Sequence, residues 1–460
     1  MDVPVTSAPR TLVPAWIRIV STLPKTAAEL ARGKAAGWKA SRQLTRRRRP
    51  LDWKETSAQS IRDQLDRMAG DIGRMRDIRH HLAYSQDTAA RSQEEQDILH
   101  TIRTRTREAN RSNITRTKAY YDCYREYPEL HWALLAHMVS RNAGWNMSDL
   151  KGGLMSDLMP PSVRDDLYRM LERCNALIFQ DAYPQLLLYT HSRRLGRSLF
   201  HLLPSFGVSA FMNPFWDRFW IERDSALLAV GLIINEQNYI EGRVVQNGYY
   251  QSRVLRNKAF SLHSKFQMNQ VVFPMLPHIP ELEADVFHTP EEKSRIRESA
   301  GYSADAMVGL ILEQFSSLNE RIAFGKALYA VLFGYEDVLS GVHSFASVVD
   351  HRGSRSEYWP QMFTHDKKKA LNSRLESVEL IKQEWLPADR RLYSPLLHDV
   401  WHDLYCEPIP RYDWFKNEDA IHHISRPRRP IMIEITHAHR YALQKTALTH
   451  DAERAVTSTY

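Results

Sequence analysis

The run HWALLAHMVSRNAGWNMSDLKG, His131 to Gly152, constrains the fold more than any other part of the chain. Laid on a helix it is apolar on nearly every side. It nevertheless carries His131 and Asn142 on the stripe of Leu135 and Met138, and His137 and Arg141 beside Leu130, Ala133 and Leu134. A helix apolar all round is stable only inside a larger body, and polar groups buried with it must find partners or cost stability. The stretch is therefore expected to form the floor of a site. Gly144 stands where a helix C-terminus favours glycine, which makes Asn146 and Asp149 turn or cap residues beyond the helix end.

Helical periodicity runs through most of the chain. Ser92 with Glu95 forms a capping box before an amphipathic run to Ala109, and helices are expected over 113–127 and 129–142. Further helices are expected over 161–177, 183–203 and 224–247, the last too long for one strand and without strand alternation. Thr289, Pro290 and Glu292 read as a second capping box, and 303–334 as another apolar helix. The one expected strand is 430–436. The fold class is all-α: a large irregular helical bundle over residues 90–415, with a flexible basic N-terminal extension (1–55) and a His/Arg-rich C-terminal tail (417–460). With 43% apolar and 10% aromatic residues, the chain can fill such a core.

Charge separates the extension from the body. Of 62 basic and 54 acidic residues in all, the first 50 positions hold eleven basic residues against Asp2 and Glu29. The other 410 positions therefore carry 51 basic and 52 acidic groups, a neutral balance that argues against nucleic acid as a partner of the main domain. Residues 10–49 are Arg-rich and poor in acid, which suits either an anionic membrane surface or a solvated tail. The longest apolar run elsewhere, 226–234, is far short of the ~20 residues that span a bilayer. Cys123, Cys174 and Cys406 are scattered and odd in number, giving neither a disulfide framework nor metal spacing, as expected of a reducing cytoplasm.

Glu236 is the strongest single candidate. Leu232, Ile233, Tyr239 and Ile240 surround it on the helix, so its carboxyl either rises in pKa or meets a cation, and Arg141 is a suitable partner by type. Its functional reading is acid/base chemistry or holding a substrate; its structural reading is an ion pair that fixes helix register. Asn235, Asn238, Glu241 and Asn247 add polar groups nearby, serving either a ligand or the helix ends. In HRGSRSEYWPQMF, His351, Arg355 and Tyr358 could rim a pocket. The same string also reads as a Gly353 turn and a Ser354/Glu357 capping box with aromatic packing. His398 and His402 stand one helical turn apart, a metal-gripping spacing with no third ligand indicated. Walker-type, dinucleotide and nucleophile-elbow motifs are missing, and no motif indicates a cofactor.

Four longer strings carry a resemblance: TKAYYDCYREYPELHWALLAHMVSRNAGWNMSDLKG, NALIFQDAYPQLLLY, LIINEQNYIEGRVVQN and GSRSEYWPQMF. Together they resemble the YppC-like family of bacterial proteins of unknown function, over roughly residues 90–415. The resemblance implies a bacterial, cytoplasmic protein with one continuous domain, and it supplies no reaction. The expectation is a binding or interaction protein, peripheral at the inner membrane if its extension binds there. The alternative is an enzyme of unknown reaction with an acid/base site in a polar pocket of the helical core.

Overall fold

In the computed structural model, the described residues are 32–75, 91–153, 159–255, 269–277, 307–370, 391–404, 412–436, 438, 439 and 443. The all-round apolar stretch becomes helix α5 (His131–Asp149), buried from Trp132 to Asp149 at most positions. It runs straight through Gly144, because that glycine is a contact point rather than a stop. A Cβ there would lie 2.5 Å from the Asn113 side-chain oxygen and 2.7 Å from the His351 ring, so only glycine lets those groups reach the helix. Asn146 and Asp149 are accordingly buried helix residues, not turn residues.

Around α5 pack α4 (Asn113–Glu126), α6 (Pro161–Leu195), α8 (Ser225–Ile240) and α9 (Leu318–Gly334). Helices α1 (32–44), α2 (Glu55–Met75), α3 (Gln93–Ala109), α7 (Asn213–Glu222) and α10 (Glu336–Val348) complete the body. The Ser92/Glu95 capping box starts α3 as expected. The two helices expected over 161–203 are one, α6, with Pro184 inside it, followed by a 3-10 segment at Phe200–Phe206. Asp224 caps α8 through the Leu227 amide, and the helix widens into a π turn at Glu241–Val245.

The span 303–334 departs from its helical expectation. Within it, β2 (Met307–Ile311) pairs antiparallel with β1 (Gln270–Pro274), with Val272 opposite Gly309. An apolar run of this length fits a buried strand as well as a helix, and pairing decides between them. Gly309 also donates its amide to the Ile433 carbonyl at 2.8 Å, and the Met307 carbonyl accepts from Ile435 at 2.9 Å. The expected strand at 430–436 thus joins as an isolated bridge on β2's other side. A two-residue parallel pair, β3 (Phe363–Thr364) with β4 (Leu392–Tyr393), is the other sheet among the described residues. Thr289, Pro290 and Glu292 lie outside the described residues.

Parts of both terminal segments lie against the body. Leu51 in the basic segment and Ile421, Ile424 and Ile433 in the C-terminal one are buried. The Ser41 hydroxyl accepts from the Ile433 and Glu434 amides at 3.2 and 2.9 Å, and Arg429 donates to the Arg49 carbonyl. Arg49 in turn donates its amide to the Gly334 carbonyl, and Arg47 accepts from the Glu336 amide, each at 3.0 Å.

Candidate functional site

Helices α5, α6, α8 and α9 and the start of β1 leave between them a cavity of about 260 Å³. One face of α5 lines it with Trp132, Leu135, Val139, Asn142 and Asn146, the i, i+3, i+4 spacing of a single helical stripe. That volume exceeds the ~150 Å³ apolar cavity that accepts benzene and far exceeds the ~30 Å³ share of one water. Asn142 fixes the junction with β1. Its amide donates to the Val272 carbonyl at 2.8 Å and accepts from the Val272 amide at 2.9 Å, so the side chain mimics a strand neighbour.

Glu236, from α8, stands on the cavity wall and is half-buried. Burial pushes its carboxyl up to about 8, against the opposing hydrogen bonds of Gln237 and Trp132, and nearby Asp181 adds to the rise. Gln237 donates to it at 3.1 Å, and no cation among the described residues pairs with it. Asp181 lies deeper, bonded by Asn235 and by Gln185 at 2.9 Å, and burial lifts it to about 7. The Asn235 oxygen accepts from the Trp414 indole at 2.9 Å, so this amide serves the core. At the cavity's α9 side, Arg321 is held by Glu241, by Gln237 at 2.9 Å and by the Phe315 carbonyl at 2.6 Å. The Cys174 thiol also lines the cavity, and burial pushes it up to about 12, which keeps it a protonated, poor nucleophile.

The expected partnership of Arg141 with Glu236 is not formed. Arg141 reaches away from the cavity to Glu357 at 3.3 Å and to the Val349 carbonyl at 2.5 Å, with the Phe345 ring beneath it. His351 joins the same cluster, its Nδ1 3.4 Å from Glu357 and its Nε2 2.8 Å from the Asn113 oxygen. Burial favours the neutral acid of Glu357. The hydrogen bond and charge of His351, then Arg141 and the Arg352 amide, outweigh it and hold the carboxyl below its usual range.

Arg355 pairs with Asp149 at 2.6 Å over the Trp145 ring, while the Ser394 hydroxyl donates to Asp149 at 2.6 Å. Tyr358 is fully buried against Trp145, Phe345 and Trp359. The Ser354/Glu357 capping box is present, and Gly353 takes φ +80° in the turn before it. The string from His351 to Phe363 thus clamps the far side of α5 instead of rimming a pocket.

Two histidines of the same helix are spent on packing. His131 stacks on Phe333 with ring centres 4.0 Å apart and shares a 3.0 Å hydrogen bond with the Tyr329 hydroxyl, and burial drops its pKa to about 3. His137 contacts the Thr117 carbonyl at 2.8 Å. Asn238 donates to its own helix at Ile234, and Asn247 caps the short turn that follows the π segment.

The helix carrying His398 ends at Val400, and Trp401 is extended, so His402 is not one helical turn away on the same face. His398 lies 3.8 Å from Asp403, and no group of three metal-type ligands occurs among the described residues.

Of the expected candidates, the structure brings Asn142, Asn146 and Glu236 to the cavity, with Glu241 beside it through Arg321. Arg141 with His351, and Arg355 with Asp149, build two buried ionic clusters behind α5, while His131, His137, Asn238 and Tyr358 serve packing and helix hydrogen bonds. Residues that sequence reasoning passed over are Arg321, Gln237, Gln270 and Asp181. Asp181 carried the same signal as Glu236, a carboxyl inside an apolar helix run, NALIFQDAYPQLLLY. Gln270 gave none, since β1 was not expected.

Residues 108–426 match a family described as a protein of unknown function, DUF2515. The chain is also 36% identical over 339 residues to the uncharacterized protein YppC of Bacillus subtilis (strain 168), covering 74% of this chain and 90% of the relative. The chain belongs to the DUF2515 family. Every residue lining the cavity falls within the DUF2515 span, whereas α1 and Arg46–Arg49 lie before it. No solved structure matches the chain. The family and the relative are of unknown function, and no helix among the described residues is long and apolar enough to cross a membrane.

Proposed function

We propose that the protein binds a small, largely apolar molecule in the cavity between α5, α6, α8 and α9. The observation that carries this reading is a space of about 260 Å³ lined mainly by apolar side chains, with Glu236 on its wall. Ligand sites are typically apolar concavities with a few placed polar groups. Binding is favoured over the enzymatic alternative because the groups at hand suit it better. Among the described residues no histidine lines the cavity, and the Cys174 thiol is held protonated. The test is a fragment screen by thermal shift and Trp fluorescence on the full chain and on Ala143→Phe, which plugs the cavity. Fragments should stabilise the parent and not the folded variant; equal responses would place binding elsewhere.

A second reading, a peripheral membrane protein, rests on the surface where the two terminal segments meet. Helix α1 exposes Arg32, Lys34, Lys39 and Arg42, the following turn exposes Arg46 to Arg48, and Arg426 and Arg428 lie on the adjoining segment. Trp38, Ile431 and Met432 project there at 54%, 66% and 50% exposure. Cations around exposed aromatic and aliphatic side chains suit an anionic bilayer surface. Sedimentation with phosphatidylglycerol vesicles should bring down the parent and lose most of the Arg42→Glu/Arg46→Glu/Arg428→Glu variant. No sedimentation by the parent at low salt removes the reading.

A further inference from the structure

The cavity holds an acid with which no cation among the described residues pairs. Cations that could reach it are committed elsewhere: Arg321 to Glu241, Gln237 and Phe315, and Arg141 to Glu357 and Val349. Arg243 spends its guanidinium on the Tyr239 and Tyr412 carbonyls, each at 2.9 Å. Among the described residues, Glu236 has the Gln237 amide and the Trp132 indole as polar partners. Tyr120, Trp132, Phe315 and Phe324 also line the cavity, with Glu313 on the connector before α9.

We propose that the cavity takes an amine, a primary or secondary ammonium on a compact apolar body, with Glu236 as its counter-ion and the aromatic rings around it. The proposal rests on the cavity reading above and names its ligand class. An ammonium supplies donors only, which matches a carboxylate, and a charge that aromatic faces attract. An anion would meet Glu236 and Glu313, with Arg321, the one cation among the described lining residues, already neutralised by Glu241. A neutral body would fill the space and leave Glu236 protonated, so it would draw nothing from the carboxylate form.

The proton balance follows from the groups that face Glu236. These are Asp181 from α6, Tyr120 from α4, Trp132 from α5, Gln237 from its own helix and the neutralised Arg321 from α9. Among these, Asp181 is the acid, and its like charge also favours the protonated form of Glu236. With Glu236 neutral below about pH 8, an arriving ammonium makes it the carboxylate, and its proton leaves to solvent. No bond other than that O–H is broken.

The experiment is calorimetric titration of the full chain with benzylamine and with its neutral isostere benzyl alcohol, in two buffers of different ionisation enthalpy. At pH 6.5 benzylamine should release close to one proton per molecule bound, and its affinity should rise toward tenfold per pH unit up to about pH 8. Glu236→Gln should weaken benzylamine at least tenfold and leave benzyl alcohol unchanged, which also shows that the variant is folded. If benzyl alcohol binds as well as benzylamine and neither responds to Glu236→Gln, the ammonium is refuted while the cavity reading survives. If neither compound binds the parent chain, both readings fall.

Discussion

Single side chains in this protein are used against their ordinary preferences, and the cost can be measured. In a solvent-facing helix, replacing glycine by alanine gains up to about 1 kcal/mol. At Gly144 the added methyl would meet Asn113 and His351, both held by buried hydrogen bonds, so Gly144→Ala should lose about 1–3 kcal/mol in urea unfolding. A gain in stability would show that these contacts yield freely. Glu236 offers a pH test with a definite sign. Its folded carboxyl titrates near 8 against a usual 4.5, so the folded state holds the proton more firmly than the unfolded chain. Its contribution is then complete below about pH 4.5 and is lost as pH rises through about 8. Asp181, lifted from 3.8 to about 7, acts in the same direction. Glu236→Gln, which has no proton to lose, should match the parent's melting temperature at pH 5 and exceed it at pH 8.5. An identical difference at both pH values would contradict the raised pKa.

Elements behave as their sequence patterns dictate where one helix face decides, and differently where a partner decides. The capping box at Ser92 and the helix over 113–126 were legible because their signals are local. The continuity of α5 through Gly144 was not, because the reason lies in Asn113 and His351, 31 and 207 positions away. Strand β2 was hidden for a similar cause: Met307–Ile311 reads as helix until β1 and residues 433–435 flank it. Asn142 is the pin between these two kinds of element. Asn142→Ala would strand the Val272 amide and carbonyl in the core, a loss of about 1–3 kcal/mol. Hydrogen exchange should locate the loss, with the Val272 amide opening faster while amides in α3 keep their protection. Uniform acceleration across the chain would argue against a local pin.

At the scale of the whole molecule, the all-α class and the greasy interior were readable from composition and periodicity, and the place of the cavity only in part. Apolar neighbours at three and four positions marked Glu236 as an acid set in apolar surface with a raised pKa. They could not say that Arg141, on the adjacent face of α5, turns the other way, because that choice belongs to the 349–357 turn. Polar residues in one apolar helix were therefore divided between two destinations, a cavity in front and ion pairs behind. The terminal segments add one more consequence. Ser41 and Arg49 complete their hydrogen bonds with Ile433, Glu434 and Arg429, 392, 393 and 380 positions later. During synthesis the segment that carries Ser41 must therefore wait, unclasped, until residues 429–434 have emerged, so α1 finds its final seat long after it is made.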